Sequence, residues 1–105
     1  MPRASYLVVF KPQALDDIFQ IASYIAEKSQ DLDVALLWVE SVHEHVEHLV
    51  KFPHGYSIFE IPPYRKINHG RYLVVYRIDE EAEKVVICRV VHGTRLSENL
   101  GPIET

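Results

Sequence analysis

The chain has 105 residues, a formal net charge of −4 and one cysteine, the size of a single domain that can bury a core without disulfides or metal. Hydrophobic residues at 48% and charged residues at 25% exclude a disordered or low-complexity chain, and no internal repeat is visible. Apolar runs such as Leu7–Phe10 and Leu36–Val39 fall far short of the roughly 20 residues of a membrane span, and the N-terminus lacks a signal-peptide pattern, so a cytoplasmic protein without a membrane partner is expected.

Tyr6–Phe10 is a short β-branched and aromatic run ended by Pro12, and it reads as a first strand. Pro12 then opens a helix, because the first helical turn has no use for the missing N–H. Ala14, Ile18, Ile21 and Ile25 recur at helical spacing to about Lys28, with Leu15, Ala22 and Ala26 widening the buried stripe. Asp16, Asp17, Gln20 and Glu27 are left for solvent, the two aspartates near the positive end of the helix dipole. Asp31 is the expected N-cap of a second helix, in which Ala35, Val39, Val42, Val46 and Leu49 form a stripe that stops at Phe52-Pro53-His54-Gly55.

Three strands follow: Tyr64–Asn68, Tyr72–Asp79 and Lys84–His92, with His69-Gly70 and Asp79–Glu83 as turns. Alternation sends Tyr72, Val74, Tyr76 and Ile78 toward the helices, and Arg71, Leu73, Val75 and Arg77 to an open face. The last strand is apolar on both sides, with Val85, Ile87, Arg89 and Val91 on one and Val86, Cys88 and Val90 on the other, so it is expected at a central position. The fold class is α+β in the order β-α-α-β-β-β, a helical hairpin packed on a mainly antiparallel twisted sheet. Cys88, in mid-strand among valines, reads as a core residue.

Charge is uneven along the chain. Residues 1–50 carry three basic and eight acidic side chains, a net of −5, whereas residues 51–95 carry eight basic and five acidic, a net of +3. An acidic total argues against nonspecific polyanion binding, while arginines dense on apolar strands demand anionic partners because they cannot shed their proton. One such partner is a helix carboxylate such as Asp17, which Arg77 or Arg89 could meet in a buried pair. His43-Glu44-His45-Val46-Glu47-His48 completes neither zinc-protease motif and reads as a solvated helix face, so no metal site and no cofactor are expected.

From Tyr6 to about Arg95 the chain resembles the RelE/ParE superfamily of bacterial type II toxins, most closely the ParE-like, plasmid-stabilisation members. The likeness is carried by Ala14, Asp17-Ile18, Ile21 and Tyr24-Ile25, by Leu49…Phe52-Pro53 followed by Gly55, and above all by Tyr72–Ile78 with Arg89–Arg95. It implies a single toxin domain over residues 1–105, encoded beside a cognate antitoxin that wraps and neutralises it and through which it could form higher oligomers. ParE-like members poison DNA gyrase. RelE-like members instead cut messenger RNA on the ribosome, and a degenerate member would act only as a binding partner.

The resemblance also supplies candidate residues. Where RelE-type nucleases carry an arginine in the third strand this chain has Leu73, and their C-terminal tyrosine has no counterpart. A leucine cannot stabilise a developing phosphorane charge, so the ParE reading leads and an enzymatic role is second. Arg65, Arg71, Arg77, Arg89 and Arg95 are the candidates for target binding, with His92 and Arg95 as catalytic groups only under the nuclease alternative. Tyr24, Leu37 and Trp38, large groups set off the main stripes, are the candidates for antitoxin contact.

Overall fold

A computed structural model describes residues 6–56, 58, 63–93 and 103. The elements are β1 (Leu7–Phe10), α1 (Pro12–Ser29), α2 (Leu32–Glu47), two 3-10 turns (His48–Val50 and Pro53–Gly55), β2 (Arg65–His69), β3 (Tyr72–Asp79) and β4 (Lys84–His92). The expected order β-α-α-β-β-β is observed. The sheet runs β1-β4-β3-β2, with β1 parallel to β4 and the other neighbours antiparallel, so β4 is central as its two apolar faces require.

Local chemistry sets the helical hairpin. Lys11 is extended and Pro12 occupies the first turn of α1, while Gln30 at φ 58° turns the chain out of the helix. The Asp31 carboxylate accepts the Asp33 N–H at 2.9 Å, satisfying one of the orphan donors of α2. Ala14 and Ile18 of α1 and Val42 and Val46 of α2, with Leu49, close on Val74, Tyr76, Val85, Ile87 and Val90 of the sheet. Each fully buried aliphatic side chain here contributes about 1.5–3 kcal/mol. Tyr76 is fully buried and donates its hydroxyl to the Pro53 carbonyl at 2.7 Å; burial pushes its pKa up to about 12.

Several expectations need correction. Leu15 is 51% exposed, because α1 buries the narrower stripe through Ala14 and Ile18. Helix α2 ends at Glu47, and Leu49 reaches the core from a 3-10 turn. Strand β2 begins one residue later than expected and includes His69. In β4 the alternation breaks: Tyr76 faces Ile87 and Val75 faces Arg89, so one extra residue, Cys88, enters the strand as a β-bulge. The bulge sends Val90 to the helical side and Val91 to the other, the reverse of strict alternation.

The face away from the helices is also not open. Val75, Val86, Cys88 and Ile103 form a second buried cluster, flanked by Tyr64 and Val91. Leu73, expected on open surface, is only 4% exposed. The C-terminal Ile103 returning over this face is what strand alternation could not reveal.

Candidate target-binding cleft

Strand β1 ends opposite Ile87, where the Lys11 N–H still reaches the Ile87 carbonyl at 2.9 Å. Beyond that point α1 replaces β1 beside β4. Asp17 takes over the pairing: its Oδ2 accepts the Val90 N–H at 2.9 Å and the Arg89 Nε at 2.7 Å, and its Oδ1 accepts Arg89 Nη2 at 3.2 Å. The Gln13 side-chain amide donates to the same Oδ1 at 3.2 Å. Side-chain exposures of 15% for Arg89 and 10% for Asp17 make this a largely desolvated, two-pronged pair of the kind that fixes geometry. Asp17 is therefore not the solvated residue its helix position suggested.

The space between α1 and the ends of β3 and β4 is a cleft of about 610 Å³, lined by Gln13, Asp17, Gln20, Ile21 and Tyr24 from α1 and by Arg71, Tyr72 and Arg89–His92 from the sheet. A volume of this size lies within the usual range for ligand sites. Arg89 forms the floor with its charge matched by Asp17. Arg71 stands exposed at the rim, one residue after Gly70, whose φ of +61° makes the tight turn from β2 into β3. The Tyr72 and His92 rings meet edge to face at 5.5 Å. The cleft thus offers one exposed guanidinium, amide and phenol groups, and an imidazole, a set suited to anionic and hydrogen-bond-accepting groups of a partner.

Of the residues singled out from sequence, Arg71, Arg89, His92 and Tyr24 come together here. Arg65 and Arg77 do not line the cleft. Arg65 Nη1 donates to the Tyr56 carbonyl at 2.8 Å and ties β2 to the preceding loop. Arg77 pairs in register with Val86 near the far end of β3. The arginines of the meander are thus spread over the sheet rather than gathered on one surface. Arg95 lies outside the described residues. Leu37 is exposed on α2, whereas Trp38 is half-buried against the core and packs edge to face on Tyr72 at 5.4 Å.

Sequence reasoning missed Gln13 and Gln20, which share a side of α1 with Asp17 at spacings of four and three. It also missed the closure of the sheet edge by Asp17, for which only the early end of β1 gives a signal. Among the described residues no three His, Cys, Asp or Glu side chains converge as a metal site, and no helix is long and apolar enough to cross a membrane.

The sequence pattern of the ParE toxins of type II toxin–antitoxin systems, parDE, matches residues 8–96. The chain belongs to this family of toxins. Its fold is similar to that of the chromosomal ParDE toxin–antitoxin system from P. aeruginosa, with a TM-score of 0.73, 16% identity, and coverage of 84% of this chain and 96% of the other. It is also similar to the RelBE2 toxin–antitoxin complex from Mycobacterium tuberculosis, with a TM-score of 0.59, 23% identity, and coverage of 87% and 94%. The intact E. coli RelBE complex gives a TM-score of 0.60, 17% identity, and coverage of 85% and 98%. At these identities the likeness is one of fold. No curated protein matches the sequence.

Proposed function

We propose that this type II toxin acts in the cytoplasm by inhibiting DNA gyrase and is neutralised by its cognate antitoxin. The observation that carries the reading is Leu73. It stands where RelE-type nucleases place an arginine, and at 4% exposure it belongs to the packed interior of the sheet. A buried leucine offers a phosphorane no stabilisation. Membership of the ParE family supports the same reading.

The cleft carrying Arg71 and His92 is then a surface for a protein target, with Arg95 beyond the end of β4 as a further contact. The antitoxin covers exposed apolar side chains of the helical hairpin. Besides Tyr24 and Leu37, these include Leu15 and Phe19 on α1 and Leu32 and Leu36 on α2, two pairs at four-residue spacing. Large exposed apolar groups at helical spacing call for such a partner.

Message cleavage on the ribosome keeps one supporting observation, the presence of Arg71 and His92 in a single cleft. A pulse of expression in a bacterial host separates the two. Gyrase inhibition gives trapped DNA breaks and a DNA-damage response with intact transcripts. Transcripts cut only when ribosomes are present would establish the nuclease instead.

A further inference from the structure

Helix α2 and strand β2 are joined through two histidines whose like nitrogens face each other: His45 Nδ1 and His69 Nδ1 are 2.9 Å apart. On its other side, His69 Nε2 lies 2.8 Å from Ser41 Oγ, which in turn is 2.6 Å from the Trp38 carbonyl. A carbonyl only accepts, so the Ser41 hydroxyl must donate to Trp38 and accept from His69 Nε2–H. His69 Nδ1 is then left with its lone pair in the neutral ring, and it accepts from His45 Nδ1–H. Both tautomers follow from the one group in the chain that has no proton to give.

We propose that this chain is an acid-sensitive latch between α2 and the β2–β3 hairpin, closed while the two imidazoles hold one proton between their facing nitrogens and opened when both nitrogens carry one. A first proton placed on His45 Nε2 leaves the Nδ1–H bond in place, now charge-assisted. The second has only His69 Nδ1 to go to, where it would set two N–H groups and two cations against each other at 2.9 Å. The groups that meet His69 are Ser41, His45 and Trp38 from α2 and Tyr72 from β3, its partner in register; His48 of the first 3-10 turn meets the His45 ring at 6.4 Å.

Burial first, and then the charge of His45, lower the His69 pKa below its ordinary value of 6.5, in keeping with that geometry. Because the unfolded chain binds this proton more readily, the latch stabilises the fold fully above pH 6.5. That contribution is lost as the pH falls from 6.5 through the lowered folded value. Opening reaches the cleft, since the Trp38 ring packs on both His69 and Tyr72, and Tyr72 lines the cleft. The latch stands whichever target the toxin has.

The test is a ring-nitrogen NMR titration of the full chain together with thermal unfolding at pH 7.5 and 5.0. His69 is expected to stay in the neutral Nε2–H tautomer to below its ordinary pKa of 6.5, and its protonation to shift the Trp38 and Tyr72 resonances in the same step. His69→Gln keeps a donor toward Ser41 and cannot titrate in this range, and His45→Asn does the same toward His69. Each variant is expected to remove about 5 °C of the fall in Tm that the unaltered chain shows between the two pH values. A His69 that titrates at or above its ordinary pKa of 6.5, or a fall in Tm in both variants as large as that of the unaltered chain, would overturn the latch. The NMR arm decides the matter even if a variant fails to fold.

Discussion

At the scale of single residues, Asp17 carries the most. One carboxylate closes the edge of β4 at Val90, neutralises Arg89 and sets the floor of the cleft. Asp17→Ala removes the carboxylate from a largely buried guanidinium and leaves the Val90 N–H without its acceptor. It is expected to cost about 3 kcal/mol, read as a lower midpoint in urea unfolding with an unchanged slope. Leu73 makes a complementary case. Had it stood on open surface, truncation would matter little, but from a site only 4% exposed Leu73→Ala should destabilise by about 2–3 kcal/mol in the same measurement. The pairing of Arg89 with a helix carboxylate was legible from sequence because arginine in an apolar strand needs an anion. The role of His69 was not, since a histidine before glycine reads as turn, and only the register with α2 brings His45 to it.

At the scale of elements, the sequence was most readable where two signals agreed. The bounds of β3 and β4 follow from apolar alternation closed by turn residues, and α1 from its proline and stripe. Agreement of cap and stripe likewise marks the start of α2, and Asp31→Ala should lower stability by about 1 kcal/mol, seen as a reduced Tm. Its end was hidden because Leu49 keeps the helical period through a 3-10 turn. The Cys88 bulge was hidden as well. A strand apolar on both faces gives no contrast by which an inserted residue could be noticed, and the shift that reverses Val90 and Val91 appears only in pairing with β3. This bulge has a consequence for the site, because it lies immediately before Arg89 and Val90, the two residues that meet Asp17.

At the scale of the whole molecule, the architecture was legible because a helical hairpin followed by a three-strand meander leaves few ways to cover its stripes, and the family through its resemblance at Tyr72–Ile78 and Arg89–Arg95. The location of the cleft was not, because it arises where a short β1 gives way to α1. Sheet and hairpin present different surfaces: the cleft edge displays Arg71 among polar groups, while the helices, in the acidic half of the chain, expose Phe19 at 70% together with Leu15, Leu32 and Leu36. On the proposed function, that division leaves the hairpin for the antitoxin and the cleft for the target. The central claim is that this molecule disables gyrase and does not cut RNA. Purified toxin freed of its antitoxin, incubated with gyrase and plasmid DNA, is predicted to suppress supercoiling and accumulate gyrase-bound cleaved DNA, with reversal on adding antitoxin. Unimpaired gyrase, alongside cleavage of ribosome-bound transcripts by the same preparation, would contradict it.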